Sequence, residues 1–183
     1  MIKDKIILGI DPGTSIMGFG LIHIKESKLN LLLLDVLILK KLSNHNLKLK
    51  KIFDRTLAII NEFKPDEIAI EAPFFGKNVQ SMLKLGRAQG VATAAALLKD
   101  IPVIEYSPKK IKQSITGNGN ASKEQVCKML KQIINFNEKP KYLDATDGLA
   151  VAVCHYFQNN ISNHSNKYSG WKSFLKNNPK RLS

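Results

Sequence analysis

Four acidic residues stand where a freely solvated surface charge is not the obvious expectation. Asp11 ends the apolar run of GIDPGT, Glu71 closes Ile68-Ala69-Ile70, and Asp144 and Asp147 lie together in LDATD. Each has a plain structural account. Asp-Pro-Gly is ordinary turn chemistry, and a carboxylate at a strand end can fan into water. Asp144 can serve as a helix N-cap, with Asp147 in a first turn where the dipole favours negative charge. The helical stripe argues otherwise for the last pair. Residues three or four apart share a helix face, so Asp144 and Asp147 fall on the line that continues through apolar Val151 and Cys154, which points them inward. Four carboxylates gathered in one cleft repel one another. Hard divalent cations resolve the repulsion, and Mg²⁺ suits an oxygen-only site that keeps waters and takes substrate phosphates. Two such ions roughly 4 Å apart hold an attacking water and a leaving oxygen in line for phosphodiester hydrolysis, with Mn²⁺ the expected substitute.

The elements that must position these acids follow from periodicity. Apolar runs over residues 6–10, 18–24 and 31–39 read as three sequential strands. From residue 43 the spacing of Leu49, Ile52, Phe53, Ile59, Ile60 and Phe63 is helical, and Lys64-Pro65 ends that helix. A strand over 67–71, a helix over 79–98 and a strand over 103–106 come next, and the chain then reads as helical pieces to about residue 160. The order βββαβαβα predicts an α/β fold, a mixed sheet with helices on its faces. Ser107-Pro108 and Ser122 with Gln125 mark two helix starts, and residues 117–120 between them read as a mobile loop.

A chain of 183 residues fits one ordinary domain. Residues 1–160 are expected to form it. Residues 161–183 form a basic C-terminal tail, expected to be largely disordered because it has too few apolar positions to bury much surface. The chain carries 28 Lys plus Arg against 15 Asp plus Glu, a net charge of +13 that favours a polyanionic partner such as nucleic acid. Cys127 and Cys154 have neither CxxC spacing nor a neighbouring His set, so they read as reduced packing residues rather than a disulfide or zinc site. No secretory signal is evident at the start, and no apolar run approaches the ~20 residues needed to span a bilayer, so a cytoplasmic protein without membrane attachment is expected.

Taken together, GIDPGTSIMGFG, the segment IAIEAPFFGKNVQSMLKLGRAQGVA, Ile111-Lys112-Gln113 and LDATDGLAVAVCH resemble, in order over residues 6–158, the RuvC family of Holliday junction resolvases. The resemblance implies a ribonuclease H-like fold built on a five-stranded mixed sheet with helices on both faces. It also implies a homodimer, Mg²⁺-dependent symmetrical nicking of two opposed strands of a four-way DNA junction in recombination and repair, and a branch-migration complex of the RuvA–RuvB type as partner. The family's catalytic acids fall on Asp11, Glu71, Asp144 and Asp147, with Asp11, Glu71 and Asp144 as the expected metal ligands. Phe74 matches a family aromatic that stacks on opened bases. Lys112 and Lys123 match family lysines beside the scissile phosphate. The small residues of the helix over 81–98 (Gly86, Ala88, Gly90, Ala92 and Ala94–Ala96) suit either close packing on the protein's own sheet or the dimer interface near which the family places this region. Two rivals exist. A junction-binding module without nuclease activity would not need all four acids. The Asp-Pro-Gly-Thr turn also resembles the first phosphate loop of actin-like ATPases and sugar kinases, but such a phosphotransferase needs a second domain for which 183 residues leave no room.

Overall fold

The computed structural model describes residues 4–26, 28–73, 78–134, 136 and 143–165, with side chains described up to residue 159. Strands β1 (Lys5–Asp11), β2 (Ile16–Lys25) and β3 (Lys28–Ile38) form an antiparallel meander. Helix α1 (His45–Phe63), strand β4 (Glu67–Glu71), helix α2 (Val79–Leu97) and strand β5 (Val103–Tyr106) follow, and β1, β4 and β5 pair in parallel. The sheet order is β3-β2-β1-β4-β5, the mixed five-stranded sheet expected. The helical remainder resolves into α3 (Pro108–Thr116), α4 (Lys123–Ile133) and α5 (Leu143–Ser165). Ser107 caps α3, and Ser122 with Gln125 forms a capping box on α4, as their spacing predicts.

Residues 117–120 connect α3 to α4 as expected of a loop, through a hydrogen-bonded turn. Gly117 closes α3 at φ 76°, Asn120 N–H donates to Asn118 Oδ1 at 2.9 Å, and Ala121 N–H donates to Asn118 O at 3.2 Å. Helix α5 already begins at Leu143, so Asp144 sits in its first turn rather than at the cap. That helix also runs past residue 160, and residues 166–183 lie outside the described residues.

Strand alternation sorts side chains into two cores. Leu8, Ile10, Met17, Phe19, Leu21, Ile68 and Ile70 pack beneath α1 and α2. Ile7, Ile22, Ile24 and Ala69 face α3, α4 and α5, where Leu149 to Cys154 of α5 are all buried. Residues 9 and 11 of β1, 18 and 20 of β2, and 71 of β4 therefore belong to the α5 face. Three of them are glycines, and the helix backbone rests where side chains would be. A Cβ on Gly9 would come 2.2 Å from Gly148 O, one on Gly18 1.9 Å from Asp144 O, and one on Gly20 2.3 Å from Leu149 Cα. Real Cβ atoms never approach so closely, and the obstructing atoms are backbone, so any side chain here lifts α5 off the sheet. We expect Gly18→Ala to destabilise the protein by about 2 kcal/mol or more and to lower Tm by roughly 4–8 °C in a thermal melt.

Candidate active site

Asp11 and Glu71 stand one residue beyond the last parallel pair, Ile10 with Ile70, so they are level at the carboxyl ends of neighbouring strands. Crevices at the carboxyl ends of parallel strands are where open α/β sheets place their ligands. From above, the glycine-floored contact presses the first turns of α5 onto the same spot. Ligand oxygens of Asp11, Asp144 and Asp147 lie within 4.8 Å of one another. Asp11, Glu71 and Asp147 line a cavity of about 140 Å³ together with Pro108, Ile111, Lys112, Lys123, Val126 and Ala150. All four acids thus converge, although the tightest trio contains Asp147 where Glu71 was expected among the metal ligands. Lys112 and Lys123 line the same cavity. Phe74 lies outside the described residues.

The electrostatics are those of crowded, desolvated carboxylates. Burial first, then the charges of Glu71 and Asp147, raise the Asp11 carboxyl well above its usual range, with Lys123 opposing. Burial and Asp147 push Glu71 up to about 7 against the offsetting Lys123 and Lys112. Asp147 is also raised, by burial, although Lys123 donates a hydrogen bond to it. Lys123 Nζ stands 3.5 Å from Asp144 Oδ1 as well. Burial opposes the charge of Lys123, yet its contact with Asp147 holds its pKa above the ordinary lysine value. Two lysines, Lys112 and Lys123, against four carboxylates leave net negative charge. The trio offers oxygen donors only, with no His or Cys. That set fits a hard divalent cation, which would relieve the repulsion that burial amplifies.

The sequence reading missed two supports. The glycine floor was visible as Gly18 and Gly20 at a spacing of two, opposite the small-residue run GLAVAV. His155, 2% exposed, bonds Glu67 Oε2 through Nε2 at 2.5 Å and the Tyr106 hydroxyl through Nδ1 at 2.7 Å. This ties the far end of α5 to β4 and β5. No local pattern announces it, because the partners are 88 and 49 residues away.

The raised carboxyls have a pH signature. A group whose folded pKa exceeds its unfolded value stabilises fully below the unfolded value, and that contribution is lost as pH rises through the folded one. For Glu71 the window runs from 4.5 to about 7. In EDTA, we expect Tm to fall across this range, with Glu71→Gln removing up to about 3 kcal/mol of that loss. Excess Mg²⁺ at pH 8 should restore stability to the wild type. A melt in EDTA that is no more pH-sensitive for wild type than for Glu71→Gln would contradict this.

The family model for crossover junction endodeoxyribonuclease RuvC matches residues 7–155. The chain is 59% identical over 180 residues to the crossover junction endodeoxyribonuclease RuvC of Christiangramia forsetii, covering 98% of this chain and 94% of that one. It is 60% identical over 179 residues to that of Cytophaga hutchinsonii, covering 98% and 88%. Among solved structures, it is similar to Thermus thermophilus RuvC in complex with a Holliday junction substrate, at a TM-score of 0.80 and 31% identity, covering 86% of this chain and 96% of that one. The glycine-floored sheet, the converged carboxylates and these likenesses agree: the chain belongs to the RuvC family of crossover junction endodeoxyribonucleases, with their ribonuclease H-like fold.

Proposed function

We propose that this protein resolves Holliday junctions in recombination and repair, nicking two opposed strands of a four-way DNA junction by Mg²⁺-dependent hydrolysis. In a chain of this family, the observation that carries the reading is the approach of the Asp11, Asp144 and Asp147 oxygens to within 4.8 Å, with Glu71 facing the same cavity. Asp11, Asp144 and Asp147, with Glu71 beside them, would hold one or two Mg²⁺ ions, which supply Lewis-acid charge and an activated water to the scissile phosphate.

The chain's own groups do the rest. Lys112 and Lys123 at the cavity place positive charge where the phosphate oxygens gain negative charge in the transition state. Pro108, Ile111, Val126 and Ala150 wall the cavity with apolar surface, which limits bulk water and strengthens those interactions. Glu71 faces the same cavity, and a bound cation would offset the burial and repulsion that raise its carboxyl, leaving a carboxylate oxygen there to orient the attacking water. Replacing one acid removes the cation's seat but leaves the lysines that contact phosphates. Asp11→Asn should therefore slow nicking of a synthetic mobile junction by roughly 10³-fold or more. Its junction Kd should stay within about threefold of wild type. Loss of junction binding by the folded variant at low salt would contradict this division of labour.

Two opposed cuts call for two sites, so the protein works as a homodimer. The small residues of α2 divide between two faces. Ala88, Ala92, Ala95 and Ala96 are buried on the protein's own sheet. Gly86 and Gly90 have nothing within 4 Å of a Cβ position, and Val79 and Leu83 beside them are 64% and 52% exposed. This second face is the proposed dimer surface. Leu83→Glu with Gly90→Glu should shift the protein from dimer to monomer in light scattering and uncouple the paired nicks. No helix among the described residues is long and apolar enough to cross a membrane. The same proposal places its action in the cytoplasm, with a branch-migration complex of the RuvA–RuvB type as partner.

A further inference from the structure

The cations on the α1–α2 side of the sheet are unevenly spread. Lys40, Lys41, His45, Lys48, Lys50 and Lys51 run without an intervening acid, and α2 carries Lys84 and Arg87 with no acid along its length. Of the acids on α1 or behind it, the two nearest this run are engaged, and Glu62 stands in the last turn of α1, at its other end. Asp54 pairs with Lys50 at 2.8 Å, and Asp35 pairs with Arg55 at 2.5 Å. Among the described residues no carboxylate pairs with Lys84 or Arg87, and both are exposed in the single chain, Arg87 on the flank of the dimer face that Leu83 and Gly90 mark.

Folding brings the two runs together, because α1 and α2 pack on each other. The half-buried His45 registers the result. Burial lowers its pKa, and the charges that lower it further are Arg87, Lys84 and Lys48, all of one sign. Like charges held together cost free energy unless a polyanion neutralises them.

The patch also has a definite place. Strands β1, β3 and β4 all end at the edge of the sheet that bears the acids, and α1 and α2 both start there. Lys48 Nζ donates to Thr14 O at 2.9 Å. Thr14 is three residues past Asp11, so the patch begins within about 10 Å of the acids.

Resting on the resolvase reading, we infer that Lys48, Lys84 and Arg87 form a second phosphate-binding surface. It holds the sugar–phosphate backbone of a junction arm on the α1–α2 side of the sheet edge that bears the acids.

The test is junction affinity measured by fluorescence anisotropy from 50 to 300 mM NaCl, comparing wild type with Lys84→Gln/Arg87→Gln. Loss of two phosphate contacts should reduce the slope of log K against log salt by about 1.8 and weaken Kd about tenfold or more near 100 mM salt. Arg87→Lys should keep the wild-type slope. Single-turnover nicking at saturating protein should stay within about twofold of wild type, because neither residue lines the acidic cavity. An unchanged Kd and slope would overturn the inference and leave the patch to an acidic protein. A loss of affinity that coincides with dissociation of the dimer in light scattering would overturn it too. Wild-type protein unable to bind a junction at any salt would sink the resolvase reading itself, and this inference with it.

Discussion

Helix α5 lies backbone to backbone on β1 and β2, and the rest of the site depends on that contact. Ordinary side chains between helix and sheet hold the two layers apart; at Gly9, Gly18, Gly20 and Gly148 there are none, and the layers close until the Asp144 carbonyl would overlap any Cβ on Gly18. Asp144 and Asp147 ride down with the helix onto Asp11. The same closeness strips water from Asp11 and Asp147, and burial, with neighbouring negative charge, raises both carboxyls. Crowding of this kind costs stability. The next two turns of α5 offset it, because Leu149, Val151, Val153 and Cys154 are each fully buried and a buried aliphatic side chain is worth about 1.5–3 kcal/mol.

Position along the helix axis needs a second constraint, since sliding α5 by one turn would carry both acids about 5 Å away. His155 supplies it from the other end of the helix, with Glu67 on one ring nitrogen and Tyr106 on the other. Lys5 pairs with the same Glu67. Burial raises the Tyr106 hydroxyl up to about 12, and since an ionised carboxylate only accepts, Nε2–H is the donor toward Glu67. A buried, satisfied polar network is directional in a way that Leu149 or Val151 is not. The apolar face supplies adhesion, and the histidine fixes the register.

Much of this was legible in the chain. The five strands and the two long helices follow from periods of 2 and 3.6 together with Pro65, and the inward aim of Asp144 and Asp147 follows from their line with Val151 and Cys154. What escaped was relational. Gly18 and Gly20 are a spacing of two in a strand, but nothing local says which backbone they receive. Asp147 enters the tightest oxygen trio and Glu71 does not, because that depends on how far α5 settles rather than on residue type. Gly and Asn marked residues 117–120 as a connection between helices, but not the bonds that it makes. The same residues also close helices and make side-chain-to-backbone bonds, and here Gly117 and Asn118 do both.

The central claim is that acids from three separate elements form one cation seat. Anomalous diffraction from crystals soaked in Mn²⁺ tests it most directly. The account predicts a peak bounded by the carboxylates of Asp11, Asp144 and Asp147, with Glu71 at its edge, that disappears in Asp11→Asn. Manganese bound elsewhere, or a peak at this seat that survives loss of the Asp11 carboxylate, would contradict it.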